Sequence, residues 1–370
     1  MAEYAAQTGP IAVYGATGYT GRLVAAELRR RGAEFVLSGR NPAKLEILAE
    51  EIGGAKTKTA RLDDPASLRD LLDPCAAVIS CAGPFQRHGE PVLAAAVETA
   101  THYIDTTGEQ PFMRMVFDRY GAAAERSGVA LVTAMGFDYV PGDMIASLTA
   151  GAGPVDEVAL AYFVKGFGPT RGTALSALGI MAGGDVEWRD GELQEASQRV
   201  GRGTYDFGGE IGVQRMVRYP AGEHITVPKH VDTPRVTTRL SAVTTVPVPG
   251  PAATLVMVPF QLALRTPVRR AFEALIPRLP EGPGVESRRK SRFVIACEAR
   301  RGDERRRGTV SGSDLYGLTA RTTVEGALRC AAGGYDRRGA LAPSQAFEPA
   351  DFLDSLRSAG VEYEVPSGSR

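Results

Sequence analysis

The feature that most constrains this chain is a glycine triplet set between a strand-like run and a helix-like run. Ile11–Tyr14 is short and apolar, and Gly15-Ala16-Thr17-Gly18-Tyr19-Thr20-Gly21 follows it directly. Residues 19–31 then hold Leu23, Val24, Ala26 and Leu28 to one stripe while Arg22, Arg29, Arg30 and Arg31 take the other side. A strand, a turn with three glycines and a helix form the opening of a dinucleotide-binding unit. The first glycine makes the tight turn, the second lets backbone approach a diphosphate, and the third lets the helix pack closely on the strand. The helix N-terminus behind them offers N–H groups and a positive dipole end to phosphate. Gly15, Thr17, Gly18, Tyr19, Thr20 and Gly21 are therefore expected to contact a cofactor.

The same alternation continues to about residue 135. Further strands are predicted at Glu34–Leu37, Thr57–Leu62, Ala77–Cys81, His102–Asp105 and Ala130–Thr133, with helices over 42–51, 66–72, 90–99 and 112–127. Strand–helix alternation of this kind builds a parallel sheet covered on both faces. Beyond about residue 150 longer, β-branched runs take over: Val155–Val164, Val213–Tyr219, Pro234–Val248, Phe293–Ala299 and Thr309–Leu315. Helices are expected over 317–332 and over Phe347–Ala359. The predicted class is α/β: a Rossmann-type doubly wound parallel sheet with a second α+β domain containing a mixed or antiparallel sheet. The expected division is 1–150 for the dinucleotide-binding domain, 151–335 for an α+β substrate or dimerisation domain, and 336–370 for a C-terminal segment returning to the first domain.

The end of the second strand selects between cofactors. Sites for NAD place a carboxylate there, on the ribose hydroxyls. This chain instead reads Leu37-Ser38-Gly39-Arg40-Asn41, with Lys44 one turn on. A 2′-phosphate is a dianion that a guanidinium grips through two parallel hydrogen bonds. Arg40, Lys44 and a hydrogen bond from Ser38 thus point to NADP. Asp63 and Asp64 are expected to end the third strand near the adenine edge, although Asp64-Pro65 also reads as a helix start. Ala82, Gly83, Pro84 and Phe85 follow the fourth strand, where small residues let the nicotinamide end approach the backbone.

Composition narrows the function classes. The chain has 43 Lys+Arg against 43 Asp+Glu, a formal charge of zero, which argues against a nucleic-acid binder acting through bulk charge. The four cysteines form no Cys-x-x-Cys pair and none stands at ligand spacing with a His, so no metal site is expected. The N-terminus lacks a charged region followed by an apolar one, and no run reaches the ~20 apolar residues of a membrane span. A cytoplasmic location is expected. Residues 252–277, apolar early and amphipathic later, are read as core or dimer-packing helices, with an acyl-binding wall or peripheral membrane contact as the functional alternative.

Several motifs together resemble the saccharopine dehydrogenase-like reductases, with the trans-acting enoyl reductases as the nearest branch. They are Tyr14-Gly-Ala-Thr-Gly-Tyr-Thr-Gly21, Ser38-Gly-Arg40, Ala82-Gly-Pro-Phe-Gln-Arg-His-Gly89, Tyr103-Ile-Asp-Thr-Thr-Gly-Glu109 and Gly136-Phe-Asp-Tyr-Val-Pro-Gly-Asp143. The likeness is dense over 10–145 and thin over 185–310. It implies a Rossmann domain, an inserted mixed-sheet domain and a C-terminal return, and it leaves the substrate unassigned. At Tyr139 and His88 the chain departs from the family's pattern.

Hydride transfer needs a cofactor, an oriented acceptor bond and a proton donor. A Tyr-x-x-x-Lys pair is absent, since Tyr162-Phe-Val-Lys165 has the wrong spacing. The candidates after strands four to six are His88, Glu109, Asp138 and Tyr139. The predicted function is an NADPH-dependent reductase acting on a C=C, C=O or C=N bond of a lipid, polyketide or secondary-metabolite intermediate. Its partner is a small molecule, acyl or carrier-bound, with a homodimer as a further expectation. Two alternatives stand beside it. One is an imine reductase on an amino-acid adduct, using Arg171, Arg235 and Arg239 for carboxylates. The other is a non-catalytic NADP-binding sensor.

Overall fold

In a computed structural model of the protein, residues 6–181, 185–196, 203–245, 266 and 268–366 are described. The chain divides into two units. The first comprises residues 1–140 and 316–356, the second 141–315 and 357–370.

The first unit is built on β1 (Ile11–Tyr14), β2 (Phe35–Gly39), β3 (Lys56–Thr59), β4 (Ala77–Ser80), β5 (His102–Asp105) and β6 (Ala130–Val132). Every residue of β1, β4 and β6 is buried, which is why these strands read as unbroken apolar runs. All six run parallel, joined by a short late strand at Gly339–Leu341 that pairs with β6. The sheet order places β2 and β3 to one side of β1 and β4, β5 and β6 to the other. Strand order therefore reverses at β1, and the crevice at the carboxyl ends of β1 and β4 is the switch point where doubly wound sheets bind ligands.

Three sequence expectations move. The third strand stops at Thr59, and Asp63 and Asp64 lie beyond it in the turn leading to the helix Pro65–Leu72. Asp64 caps that helix by accepting from Ser67 N–H, and the exposed Asp63 is ion-paired with Arg61 at 2.8 Å. The fourth helix runs Phe85–Glu98, so it begins before Pro91 and contains it. Pro91 thus lies inside the helix, whose first N–H groups donate to Glu109. Residues 112–127 fold as Gln110–Met115, a π-helical turn Val116–Tyr120 and Gly121–Ser127.

The second unit holds β7 (Glu157–Lys165), β8 (Val186–Arg189), β9 (Glu192–Glu195), β10 (Gly203–Asp206), β11 (Val213–Arg218), β12 (Val236–Ser241), β13 (Arg292–Arg301) and β14 (Glu304–Ser313). Its larger sheet is mixed: β12 and β7 are parallel, and the other pairs are antiparallel. The segment after Leu341 contributes a last strand, Glu362–Glu364, which pairs with β14. The run predicted over 234–248 ends as a strand at Ser241 and turns helical at Ala242–Thr245, and 246–248 lie outside the described residues. So do residues 252–265 and 267 of the amphipathic stretch; Val268–Leu275 is a helix. Among the described residues no helix is long and apolar enough to cross a membrane.

Candidate active site

The turn after β1 is defined by backbone. Gly15 has φ +79°, and its N–H and that of Ala16 both donate to the Ser38 carbonyl on β2, at 3.0 and 3.1 Å. A methyl on Gly15 would lie 3.1 Å from Ala82 N, so this turn and the end of β4 approach without side chains between them. A methyl on Gly21 would come within 2.7 Å of Ala16 Cα and closer still to the Gly15 carbonyl. Gly18 is the exposed N-cap of the helix Tyr19–Arg30 and provides no side-chain cap. The turn thus combines a tight bend, a close helix and an uncovered helix N-terminus. Thr17 and Thr20 are half-buried beside it, and the Thr17 carbonyl accepts from Arg22 Nε at 3.3 Å. The ring of Tyr19 packs edge-on to Tyr316 with centroids 5.2 Å apart.

At the end of β2, Arg40 and Lys44 are exposed, and neither has an ion pair among the described residues. Asn41 caps the helix Pro42–Glu51 by accepting from Lys44 N–H. The Arg40 charge acts on Tyr14, lowering a phenol that burial raises, and on His88. Ser38 differs from expectation: its hydroxyl is fully buried, so it serves the turn through its carbonyl. Arg40 and Lys44 remain as two solvent-facing cations beside the glycine turn. A cradle that admits no side chain at Gly15 or Gly21, an uncapped helix N-terminus and unpaired cations one strand away fit a dinucleotide diphosphate carrying an additional phosphate.

The carboxyl ends of β4, β5 and β6 are tied by buried polar groups. Asp105 accepts from Thr107 N–H and Ala134 N–H, each at 2.9 Å, and from the Thr133 hydroxyl at 3.0 Å. Burial pushes its carboxyl up to about 6, against those hydrogen bonds. Its carbonyl accepts from Met135 N–H, and the Met135 carbonyl accepts from the hydroxyls of Thr322 and Thr323. Thr319 accepts from Phe137 N–H at 3.1 Å. The helix Leu315–Ala331 therefore braces the loop after β6. Tyr316 and Thr319 had no signal in the sequence; some 180 residues or more separate them from the groups they touch.

The four candidate acid–base residues separate into distinct environments. Glu109 is almost fully buried, and its two oxygens accept from Phe85 N–H at 2.9 Å and Gln86 N–H at 3.0 Å. It is the cap of the helix Phe85–Glu98 and fixes the loop Ala82-Gly83-Pro84, whose Gly83–Pro84 peptide is cis. His88 sits in the first turn of that helix; desolvation, then the charges of Arg87 and Arg40, hold its pKa below the ordinary value. Tyr139 is buried, with its hydroxyl 3.5 Å from the Gly108 carbonyl. Asp138 is half-buried, and its carboxylate turns back over Gly136, where a methyl would meet it at 2.7 Å. The Tyr139 hydroxyl thus reaches Gly108, the residue that precedes Glu109.

Comparison with known proteins places these features. Residues 11–132 match the family model described as the saccharopine dehydrogenase NADP binding domain. A trans-acting enoyl reductase of Mycobacterium ulcerans is 34% identical over 140 residues, covering 36% of this chain and 34% of that protein. A saccharopine dehydrogenase-like oxidoreductase of Rattus norvegicus is 30% identical over 152 residues, covering 36% and 35%. The chain spans about a third of the length of these curated relatives. An apo saccharopine dehydrogenase (L-Glu forming) of Saccharomyces cerevisiae superposes with a TM-score of 0.59 at 13% identity, covering 97% of this chain and 100% of that one, a likeness of fold.

Proposed function

We propose that this chain, whose residues 11–132 belong to the saccharopine dehydrogenase NADP-binding domain family, is an NADPH-dependent reductase. Its substrate is a small molecule with a polarised C=C, C=O or C=N bond, an acyl or carrier-borne intermediate of lipid, polyketide or secondary metabolism. The likeness to an enoyl reductase favours C=C. The observation that carries the reading is the side-chain-free glycine cradle with exposed, ion-pair-free Arg40 at the end of the neighbouring strand.

In this reading Gly15, Thr17, Gly18, Tyr19, Thr20 and Gly21 hold the diphosphate, Arg40 and Lys44 hold the 2′-phosphate, and Ala82, Gly83, Pro84 and Phe85 flank the nicotinamide. When bound, NADPH supplies the hydride. Glu109 keeps the Gly83–Phe85 backbone in place and so acts as a positioning residue. His88, in the first turn of the helix Phe85–Glu98, is a hydrogen-bond partner. Tyr139 is the proton donor, its O–H held toward the Gly108 carbonyl until an acceptor displaces it, and Asp138 orients the substrate.

The test follows NADPH oxidation against enoyl, keto and imine substrates. Turnover is expected on one class, with Tyr139→Phe lowering kcat by about 10²-fold or more while NADPH binding is kept. Binding of NADPH with no turnover on any class would overturn the reductase in favour of a sensor.

A further inference from the structure

The second unit carries an arrangement of arginines that its own stability does not explain. Strands β8, β11 and β12 surround a cleft of about 150 Å³ lined by Arg189, Arg218, Arg235 and Arg239 together with Trp188 and His224. Two pairs of these arginines are direct cross-strand partners. Arg218 faces Arg239 in the β11–β12 register, and Arg189 faces Arg235 across an isolated antiparallel bridge. Like charges directly opposite each other destabilise a sheet.

Carboxylates answer only half of this charge. Arg218 is ion-paired with Asp185, and Arg189 with Glu187 at 2.9 Å and Asp190 at 3.6 Å. Glu157 accepts the Thr237 hydroxyl at 3.3 Å. Arg235 and Arg239 are exposed and have no ion pair among the described residues. One terminal nitrogen of Arg218, Nη1, is buried with no hydrogen-bond partner among them. A buried donor left unsatisfied is destabilising.

The wall of the cleft is fixed by a directed chain of hydrogen bonds. Trp188 Nε1–H donates to the Thr233 carbonyl at 2.8 Å, and Trp188 N–H donates to His224 Nδ1 at 3.2 Å. The other ring nitrogen of His224 therefore carries the proton and donates to Thr238 Oγ1 at 2.8 Å, whose own O–H donates to the Tyr219 carbonyl. This chain requires a neutral imidazole. Burial and the Arg218 charge hold His224 down to about 4. The histidine thus adds no positive charge, and the site's cations are guanidinium groups.

We propose that this cleft binds a phosphoryl dianion, a phosphate monoester or diphosphate. Arg235 and Arg239 meet its charge, Arg218 Nη1 donates to it, and Trp188 lies along the carbon portion of the ligand. Two unpaired guanidinium groups match the roughly −2 charge of such a group near neutral pH, and their planar forks match its oxygens. Arg171, grouped with Arg235 and Arg239 on sequence, does not line the cleft; its Nε donates to the Leu279 carbonyl. The inference goes beyond the reductase reading and is tested without NADPH.

Trp188 is the chain's one tryptophan, so its emission reports the cleft directly. Inorganic phosphate, diphosphate and coenzyme A are titrated into the full chain, with succinate as a carboxylate control. A saturable emission change is expected with diphosphate. Arg235→Ala and Arg239→Ala should each weaken it about tenfold or more, and Arg239→Lys should recover it only in part. Arg215→Ala, an exposed arginine on the other face of β11, should leave it unchanged. Tighter binding of coenzyme A than of diphosphate would support a phosphopantetheine-bearing ligand, and equal binding a free phosphoryl compound. No saturable change at millimolar diphosphate, an equal response to succinate, or an equal loss in Arg215→Ala would overturn the proposal. A lack of reductase turnover would leave the binding result standing.

Discussion

Gly21 shows how much a single position can demand. Its missing side chain is what lets the first helix lie on the turn it follows, because a methyl there would strike Gly15 and Ala16 backbone. Backbone atoms cannot rotate away as a flexible side chain can. Gly21→Ala should therefore cost about 2 kcal/mol of stability, read as a drop in thermal midpoint, and should weaken NADPH binding more than tenfold. A variant as stable and as tight as the parent would show that the turn tolerates the helix at a greater distance. This part of the site was legible because glycine spacing is itself sequence. The role of Ser38 was not. A serine before Gly39 and Arg40 reads as a phosphate ligand, yet this end of β2 is covered on both faces and encloses its hydroxyl. Asp63 lies farther from its strand than the sequence suggests: the third strand stops four residues before it, and Arg61 pairs with its carboxylate.

At the scale of elements, the helix Phe85–Glu98 depends on a residue outside itself. Its N-cap, Pro84, has no side-chain acceptor, and Glu109 from the loop after β5 takes the first two N–H groups instead. Glu109→Ala leaves both donors buried without it and should cost about 2 kcal/mol, whereas Glu109→Gln keeps one acceptor and should recover roughly half. A structural cap predicts that kcat of the Gln variant stays within a few-fold of the parent's. A Gln variant that folds normally yet loses kcat by orders of magnitude would make Glu109 a catalytic residue. The parallel strands were readable because burial on both faces leaves unbroken apolar runs. The start of this helix was not, since Pro91 mimics a first turn and the true cap lies more than 20 residues downstream. Gly89 belongs to the same element: a methyl there would collide with the Phe112 ring, a packing demand that sequence shows only as one more glycine.

Across the whole molecule, three desolvated groups set the response to acid. His102, whose Nδ1 accepts from Ala130 N–H, and His224 are both held down to about 4, mainly by desolvation. The unfolded chain takes up those protons near pH 6.5, so each costs stability as pH falls from 6.5 toward 4, by about 3 kcal/mol. Asp105, raised to about 6, does the opposite, gaining about 3 kcal/mol as it protonates between pH 6 and 4. With two histidines against one aspartate, a net loss of about 3 kcal/mol is expected between pH 7 and 4. His224→Gln should remove most of it, and denaturant melts at stepped pH would check this; a chain more stable at pH 4 than at 7 contradicts the assignment. The second sheet shows the same limit of local reading. Its long strands were visible as β-branched runs, but the last strand, Glu362–Glu364, is too short and polar to announce itself and exists only because β14 offers an edge. We propose that the glycine turn and Arg40 together hold NADP in preference to NAD. Calorimetric titration of NADPH and NADH into the parent and Arg40→Ala tests it most directly. NADPH should bind the variant roughly 10–100-fold more weakly while NADH changes less than twofold. Equal losses for the two cofactors, or no loss for either, would contradict it.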